Sequence, residues 1–234
     1  EAVSMGIPLE SSDVTIRCNL VTLSEDSPFE EKTMVDYCAD DISTAEAKEL
    51  INTLQEKLGN DSFHFYPGVS YRHCLVWRNG VLELGDLTAP HDFPGRKIRD
   101  YLPTEPSAAP LIYFMKRAYD ILKDHPVNQK RVVNGRRPAN GIWLWGQGYR
   151  PKLDSFASRY HLSGSIVSAV DLIKGIGVCA DMNVCHVPGA TGYLDTNFEG
   201  KAQAALDELD RGRDFVYIHL EAPDECGHRH EVSN

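Results

Sequence analysis

Alternation of apolar and polar residues dominates the first part of the chain and predicts an α/β unit. Val14, Ile16 and Cys18 alternate with polar neighbours, which is the two-residue period of a strand with one buried face. Asn79-Gly80 stands between two apolar runs, a pattern typical of a hairpin turn. The same reasoning predicts strands over 13–23, 33–38, 63–66, 69–77 and 81–84, and helices over 43–58 and 108–123.

The first predicted helix carries both start and stop signals. Ser43 can cap its amino terminus, and Glu46 three residues later completes the pattern of a capping box. Gly59 is a stop signal. The apolar face consists of Ala47, Leu50, Ile51, Leu54 and Leu58.

Beyond the turn-rich segment 134–140 the pattern changes to short, continuously apolar strands that alternate with helices. This alternation predicts a parallel sheet covered on both faces, in which ligands gather at the carboxyl ends of the strands. The predicted strands are 141–145, 164–167, 184–187 and 215–220, with helices over 153–160, 169–176 and 198–209.

Composition and charge narrow the function classes. The chain of 234 residues is 42% hydrophobic and 25% charged, as in ordinary globular proteins, and has a formal net charge of -10. That charge argues against nucleic acid and anionic membranes as partners, but a small anionic substrate needs only a local cluster of arginines and lysines. Six cysteines without a CxxC pair indicate a reduced, cytoplasmic protein.

The ends of the chain and its apolar runs carry two further expectations. No apolar run approaches the ~20 residues of a membrane span. The chain begins at Glu1 without Met or a signal-peptide pattern, so we expect it to be an excerpt of a longer protein.

Asp224 and His228 are candidate metal ligands because they lie in a predicted loop directly after the last apolar strand. Carboxylate and imidazole suit Mn²⁺, Zn²⁺ and similar ions, although two ligands do not complete a site. His230 is a candidate spare ligand. Surface polar residues would give the same pattern, and both interpretations stay open.

Arginines inside two predicted strands are candidates for anion binding. Arg17 and Arg72, with His73 beside the latter, interrupt apolar runs, and an unpaired buried charge is costly. The forked guanidinium matches phosphate or carboxylate oxygens. A protein carboxylate partner or an exposed strand face would explain them equally well.

Loop residues supply weaker candidates. Asp92 lies with His91 in a loop punctuated by proline and glycine, while Lys174 and Thr191 lie in glycine-containing segments after predicted strands. Glycines in such positions let backbone amides approach an anion, but the phosphate-binding GxxxxGK[ST] pattern and any Ser-His-Asp spacing are missing from the sequence.

Six stretches of the chain, in order, resemble the cofactor-independent (2,3-bisphosphoglycerate-independent) phosphoglycerate mutases of the archaeal type, which belong to the alkaline phosphatase superfamily. The matching stretches are 13–21, Tyr71-Arg72-His73, 142–148, 168–177, Pro188-Gly189-Ala190-Thr191-Gly192 and 221–228 with Asp224-Glu225-Cys226-Gly227-His228. They cover essentially the whole chain.

The resemblance implies an α/β fold: part of an alkaline-phosphatase-like core with a mostly parallel sheet, plus a smaller inserted α/β domain. It assigns residues 1–14 to the end of an amino-terminal core segment, 15–138 to the inserted substrate-binding domain and 139–234 to the metal-binding core. The resemblance implies two divalent metals, Mn, Zn or Mg, which act with a serine that carries the phosphoryl group between the hydroxyls of glycerate.

The resemblance also implies residue roles. Asp224 and His228 are similar to the ligands of one metal, and the predicted phosphate or carboxylate contacts are Arg17, Arg72, His73, Asp92, Lys174 and Thr191. The family's nucleophilic serine and its remaining metal ligands have no counterpart in this sequence, so we expect the chain as given to be inactive. Two alternatives stay open: a homoserine kinase-like phosphotransferase of the same family, and an isolated noncatalytic module that binds a phosphorylated ligand.

Overall fold

The computed structural model describes residues 1–228, with the side chain of His228 outside that description. The chain divides into two compact units. One comprises Glu10–Arg150, and the other combines Glu1–Leu9 with the chain from Pro151 onward.

Within residues 10–150 a five-stranded sheet is built around one long central strand, β1. The strands are β1 (Val14–Leu23), β2 (Met34–Asp36), β3 (Phe63–Tyr66), β4 (Arg72–Trp77) and β5 (Gly141–Gly148). Their order is β2-β1-β4-β3, and β5 pairs with β1 as well; every pairing is antiparallel. The helices of this unit are α1 (Thr44–Leu58), α2 (Ala109–Leu122) and α3 (Pro126–Val133).

The two faces of this sheet have different coverings. Phe114 of α2 contacts Phe63 and Phe65 of β3, so the helices cover the face that carries Ile16 and Leu75. The opposite face carries Arg17, Arg72 and the tryptophans of β5. There the loop 88–105 contributes Phe93, whose ring lies against Trp143, and the Thr88 carbonyl accepts the Trp143 indole N–H at 2.8 Å.

Most of the predicted elements of this unit are confirmed. Strands β1 to β4 lie where the alternation predicts them, and the five apolar positions of α1 are buried. The Ser43 hydroxyl accepts the Glu46 N–H at 3.3 Å and donates to the Glu46 carboxylate at 2.7 Å, as a capping residue should. Helix α3 was not predicted.

The predicted hairpin at Asn79-Gly80 is wrong, because residues 81–84 form no strand. Both edges of β4 are already occupied, one by β1 and the other by β3, so a following strand has no free edge to pair with. Instead Asp13 holds the turn: its carboxylate accepts the Asn79 N–H at 3.2 Å and pairs with the Arg78 guanidinium.

In the second unit, the residues up to 228 contain the predicted parallel sheet, with three strands in the order β7-β6-β8. These are β6 (Gly164–Val167), β7 (Asn183–Cys185) and β8 (Phe215–Ile218). The helices are α4 (Phe156–Tyr160), α5 (Asp171–Cys179), α6 (Phe198–Asp210) and α7 (Ala222–His228).

Three expectations for this half of the chain differ from the structure. Strand β5 pairs antiparallel with β1 rather than joining the parallel sheet, so the compact units divide at Arg150 and Pro151 rather than at 138 and 139. The residues up to 228 do not cover this sheet throughout, since the β8 side chains are partly exposed among them. Asp224 lies in a helix, α7, and not in a loop.

Across residues 1–228, the structure has no helix that is both long and apolar enough to cross a membrane.

Candidate functional site

The strand register places Arg17 and Arg72 on the same face of the first sheet. Arg17 of β1 lies opposite Cys74, and Asn19 lies opposite Arg72 of β4. Because side chains alternate along each strand, the two guanidinium groups project to one face from diagonal positions on neighbouring strands. Both side chains are half-buried.

Aromatic rings connect these two arginines. The Arg17 guanidinium lies 4.5 Å from the centroid of the Trp145 ring, and that of Arg72 lies 4.3 Å from the Tyr71 ring. Between the two pairs, His91 lies 5.4 Å from Trp145 and 6.0 Å from Tyr37, and Tyr37 lies 6.0 Å from Tyr71. We call Arg17, Trp145, His91, Tyr37, Tyr71 and Arg72 the arginine–aromatic cluster.

Hydrogen bonds through Asn19 connect the Trp145 ring of this cluster to the backbone of Tyr37. The Trp145 indole N–H donates to the Asn19 side-chain oxygen at 3.0 Å. The Asn19 amide nitrogen donates in turn to the Tyr37 carbonyl at 3.3 Å. One side chain of β1 therefore ties β5 to the loop that carries Tyr37.

That loop has an unusual backbone. Ala39, Asp40 and Asp41 have φ angles of 49°, 59° and 48°, the left-handed region that costs about 1 kcal/mol or more for each residue with a side chain. The conformation persists because its ends are tied: the Ala39 carbonyl accepts from the Arg131 guanidinium at 2.7 Å, and the Asp36 carboxylate accepts the Asp40 N–H at 2.8 Å.

The electrostatics of Asp36 agree with this role. Burial by itself would raise the pKa of Asp36, but hydrogen bonds from Cys38, Asp40 and Arg137 outweigh burial and lower the pKa below its ordinary value. The carboxylate is therefore ionised near neutral pH and holds the loop.

Two other predicted residues of this unit lie in different surroundings. Asp92 is next to the cluster, with its carboxylate 3.7 Å from the His91 imidazole and exposed to solvent. His73 faces Cys18, on the side of the sheet opposite to the arginines. Its Nδ1 accepts the Gly68 N–H at 3.0 Å, its Nε2 has no partner among the described residues, and burial lowers its pKa to about 3. The structure therefore does not bring His73 together with Arg17 and Arg72.

The remaining predicted residues belong to the second unit. The Lys174 ammonium lies 3.5 Å from the Asp171 carboxylate in α5. The Thr191 hydroxyl donates to Asp195 at 2.8 Å and accepts the Tyr193 N–H at 3.2 Å. Asp224 is exposed in the first turns of α7.

Sequence reasoning missed a polar cluster at the carboxyl ends of β6 and β8. The Ser168 hydroxyl lies 3.5 Å from His219 Nδ1, and His219 Nε2 lies 3.2 Å from the Glu221 carboxylate. The position of these residues in the sequence could have indicated the cluster. Ser168 and His219 are each the first residue after a parallel strand, where ligands gather in such sheets. The spacing of these residues in the sequence gave no such indication.

Lys201 of α6 was missed as well. It is 1% exposed, and its ammonium donates to the Thr191 carbonyl at 3.2 Å and to the His219 carbonyl at 3.5 Å. Burial lowers its pKa, while the nearby Glu221 carboxylate acts in the opposite direction. A buried lysine thus joins the Thr191 loop to the end of β8.

Positions 224 and 228 supply a carboxylate and an imidazole, donor types that suit a divalent metal ion. Positions 224 and 228 are one helical turn apart, a spacing that places residues on one side of a helix. Among residues 1–228 as described, no group of three His, Cys, Asp or Glu side chains comes close enough to hold an ion. His230, the candidate spare ligand, lies outside the described residues, as does the side chain of His228.

Comparisons with known proteins place these observations in a family. A sequence model of the 2,3-bisphosphoglycerate-independent phosphoglycerate mutases matches residues 1–128. The chain is 48% identical over 232 residues to a protein of that name from Methanosarcina barkeri, covering 99% of this chain and 56% of the relative. It is 49% identical over 228 residues to the one from Methanosarcina acetivorans, covering 97% and 56%.

A solved structure agrees with the sequence relatives. The cofactor-independent phosphoglycerate mutase from Thermoplasma acidophilum superimposes with a TM-score of 0.55 at 28% identity, over 94% of this chain and 57% of that one. The chain thus spans about half the length of the relatives it matches. The fold class expected from the resemblance, an α/β fold of the alkaline-phosphatase type, is confirmed. The chain belongs to the family of 2,3-bisphosphoglycerate-independent phosphoglycerate mutases of the archaeal type.

Proposed function

We propose that the protein containing this chain interconverts 3-phosphoglycerate and 2-phosphoglycerate without bisphosphoglycerate, as a cytoplasmic enzyme of glycolysis and gluconeogenesis. Family membership supports the reaction class. The observation that carries the proposal for this chain is the pair of guanidinium groups on one sheet face, each backed by an aromatic ring.

The substrate is a small molecule with two anionic groups, a phosphate and a carboxylate. Arg17 and Arg72 lie on adjacent strands, close enough for one small ligand to contact both. Guanidinium forks bind phosphate and carboxylate oxygens through paired hydrogen bonds. We assign these two arginines to the anionic groups of phosphoglycerate, with Asp92 beside them to accept from a substrate hydroxyl.

The second unit carries the candidate metal ligands and two further candidate substrate contacts. Asp224 and His228 would hold one of two divalent ions, Mn²⁺ or Zn²⁺, together with ligands that this chain does not contain. A bound pair of ions stabilises charge on the attacking and leaving oxygens of a phosphoryl transfer. We assign Lys174 and Thr191 to substrate contacts, with Lys201 holding the Thr191 loop in place.

The phosphoryl group would pass through a serine that lies outside this sequence, so the chain by itself would bind substrate but not turn it over. The arginine–aromatic cluster belongs entirely to residues 10–150, whereas Asp224 and His228 belong to the other unit, which supports treating substrate binding separately from turnover.

The test is conversion of 3-phosphoglycerate by the full-length protein with Mn²⁺ and without bisphosphoglycerate. Arg17→Ala and Arg72→Ala should each raise KM by about tenfold to a hundredfold, since each removes a charged hydrogen-bonding partner of the substrate. Arg136→Ala is the control, because the Arg136 side chain is exposed and its ion pair with the Asp40 carboxylate is long, at 3.7 Å. No turnover of 3-phosphoglycerate, with transfer of phosphate from ATP to homoserine instead, would refute the proposal. The relatives named above carry the mutase name and do not favour that kinase alternative.

Binding by the chain itself is measured separately. Calorimetry with 3-phosphoglycerate in the absence of metal should detect weak binding to chain 1–234, and Arg72→Ala should abolish it. Equal heats for both forms would remove the assignment of Arg72.

A further inference from the structure

Resting on the proposed function, we infer that Trp145 is a positioning residue that fixes the Arg17 guanidinium for the anionic substrate, and that the bulge at Gly146-Gln147 makes this contact possible. It acts through Arg17 and does not itself contact the substrate.

The bulge is visible in the register of β5 against β1. Arg17 lies opposite Trp145, but Thr15 lies opposite Gly148, so Gly146 and Gln147 together face the single residue Ile16. A bulge re-aims the side chains beside it and increases the local twist, and bulges are common next to active sites.

Gly146 is required at this position for two reasons. Its φ is +61°, a left-handed conformation that side chains rarely adopt. A Cβ there would also stand 3.0 Å from the Arg17 Cδ. The Arg17 stem therefore lies against the Gly146 backbone, and its guanidinium is carried over the Trp145 ring at 4.5 Å.

The indole that receives the guanidinium is itself held in place. Its N–H donates to Asn19 at 3.0 Å, and the His91 ring packs against it at 77° with centroids 5.4 Å apart. A flexible arginine is thus held by a fixed ring on one side and a glycine backbone on the other. Binding of an anion then requires less ordering of Arg17.

The experiment uses the full-length protein and compares Trp145→Leu, Trp145→Phe and Trp77→Phe. Trp145→Leu should raise KM for 3-phosphoglycerate by about tenfold while kcat changes less than about twofold, because a positioning contact acts on binding. Trp145→Phe keeps an aromatic face and should recover most of that loss. Trp77→Phe is the matched control: Trp77 lies in β4 on the opposite face, against Phe63, and its replacement should leave KM unchanged.

Two further readouts separate positioning from other roles. In an Arg17→Ala background, Trp145→Leu should add less than about a twofold rise in KM, since the residue it positions is gone. Addition of 3-phosphoglycerate should change the tryptophan fluorescence of the wild type and of Trp77→Phe, but not that of Trp145→Phe.

A rise in KM of the same factor with or without Arg17 would overturn the inference, as would full retention of KM in Trp145→Leu. If Trp145→Leu does not fold, Trp145→Phe and Gly146→Ala decide. Unchanged KM in Gly146→Ala, together with a substrate-induced fluorescence change in Trp145→Phe as large as that of the wild type, would also overturn it. Failure of the proposed function is a different result, since the wild type would then not turn over 3-phosphoglycerate.

Discussion

His73 of β4 gives a quantitative prediction, because its imidazole is buried within the unit of residues 10–150. Burial lowers its pKa to about 3, whereas the ordinary value is 6.5. Below pH 6.5 the unfolded chain therefore binds a proton that the folded chain does not. The contribution of His73 to stability is intact above the unfolded pKa and is lost as pH falls from 6.5 towards 3.

The magnitude follows from the width of this pH window. Each pH unit between the two pKa values costs about 1.4 kcal/mol, so acidification from about pH 7.5 to about pH 5 should remove about 2 kcal/mol from the free energy of unfolding. In His73→Leu this share of the pH dependence should vanish, while the pH dependence contributed by carboxylates stays.

The chain offers a selective probe for the measurement. All three tryptophans, Trp77, Trp143 and Trp145, lie within residues 10–150. Urea unfolding of chain 1–234, followed by tryptophan fluorescence, thus reports on the unit that contains His73. The difference in unfolding free energy between the two pH values is compared in wild type and variant.

The control is Leu54→Ala in α1. Leu54 is buried and cannot titrate, so its replacement should lower the free energy of unfolding by a similar amount at both pH values. If wild type and His73→Leu lose the same free energy on acidification, His73 does not carry a depressed pKa and the reasoning is refuted.

Two further predictions concern buried charges. Arg131→Met should lower the free energy of unfolding of the unit 10–150 by about 3 kcal/mol or more in the urea titration. The Arg131 side chain is 3% exposed, and its guanidinium donates to the Ala39 carbonyl and pairs with the Glu46 carboxylate. Arg136→Met, at an exposed position, should lower it by less than about 1 kcal/mol. Equal losses of unfolding free energy in Arg131→Met and Arg136→Met would contradict this prediction for Arg131. Hydrogen bonds from Ser165 and Arg211 lower the pKa of Glu208, so its contribution to stability is present above pH 4.5 and is lost as pH falls through the lowered value. Relative to the intrinsic exchange rate, which itself falls in acid, the hydrogen-exchange protection of peptides from β6 and α6 should therefore decrease in acid in the wild type. Glu208→Gln should show reduced protection already at neutral pH, and acid-independent protection in the wild type would refute the assignment.

Local patterns determined much of this fold. The alternation of β1 and the cap and apolar face of α1 were predictable because they depend on residues a few positions apart. The strand after Asn79 was not, because its absence depends on both edges of β4 being occupied by distant strands. The partner of β5 could not be predicted either, since an apolar run does not say which strand it pairs with.

Helix α7 shows that proline and glycine do not always indicate a loop. Pro223 and Gly227 are typical of loops, and the segment was predicted as one. Proline is tolerated in the first turn of a helix, where its missing N–H would have no partner, and Pro223 is the second residue of α7.

The candidate site was only half visible in the sequence. Arg17 and Arg72 were identified because a charged side chain inside an apolar strand is costly to bury unless it has a partner or a ligand. Tyr37 and Trp145 were not, and His91 was named only as the loop neighbour of Asp92, because the ring contacts join residues that lie far apart in the chain. His73 was named beside Arg72, and strand alternation alone could have placed it on the other face.

The pairing of β1 with β5 determines how residues 10–150 can be handled as a module. Thr15 lies opposite Gly148, and the Thr15 hydroxyl donates to the Gly148 carbonyl at 3.0 Å, so the chain enters and leaves residues 10–150 through neighbouring strands. A segment with adjoining ends can be spliced into a surface turn of another protein, or its ends can be joined and new ones opened elsewhere, without reaching across the fold. Residues 10–150 can therefore be moved as one unit, because both of their connections to the rest of the chain leave from neighbouring strands of a single sheet.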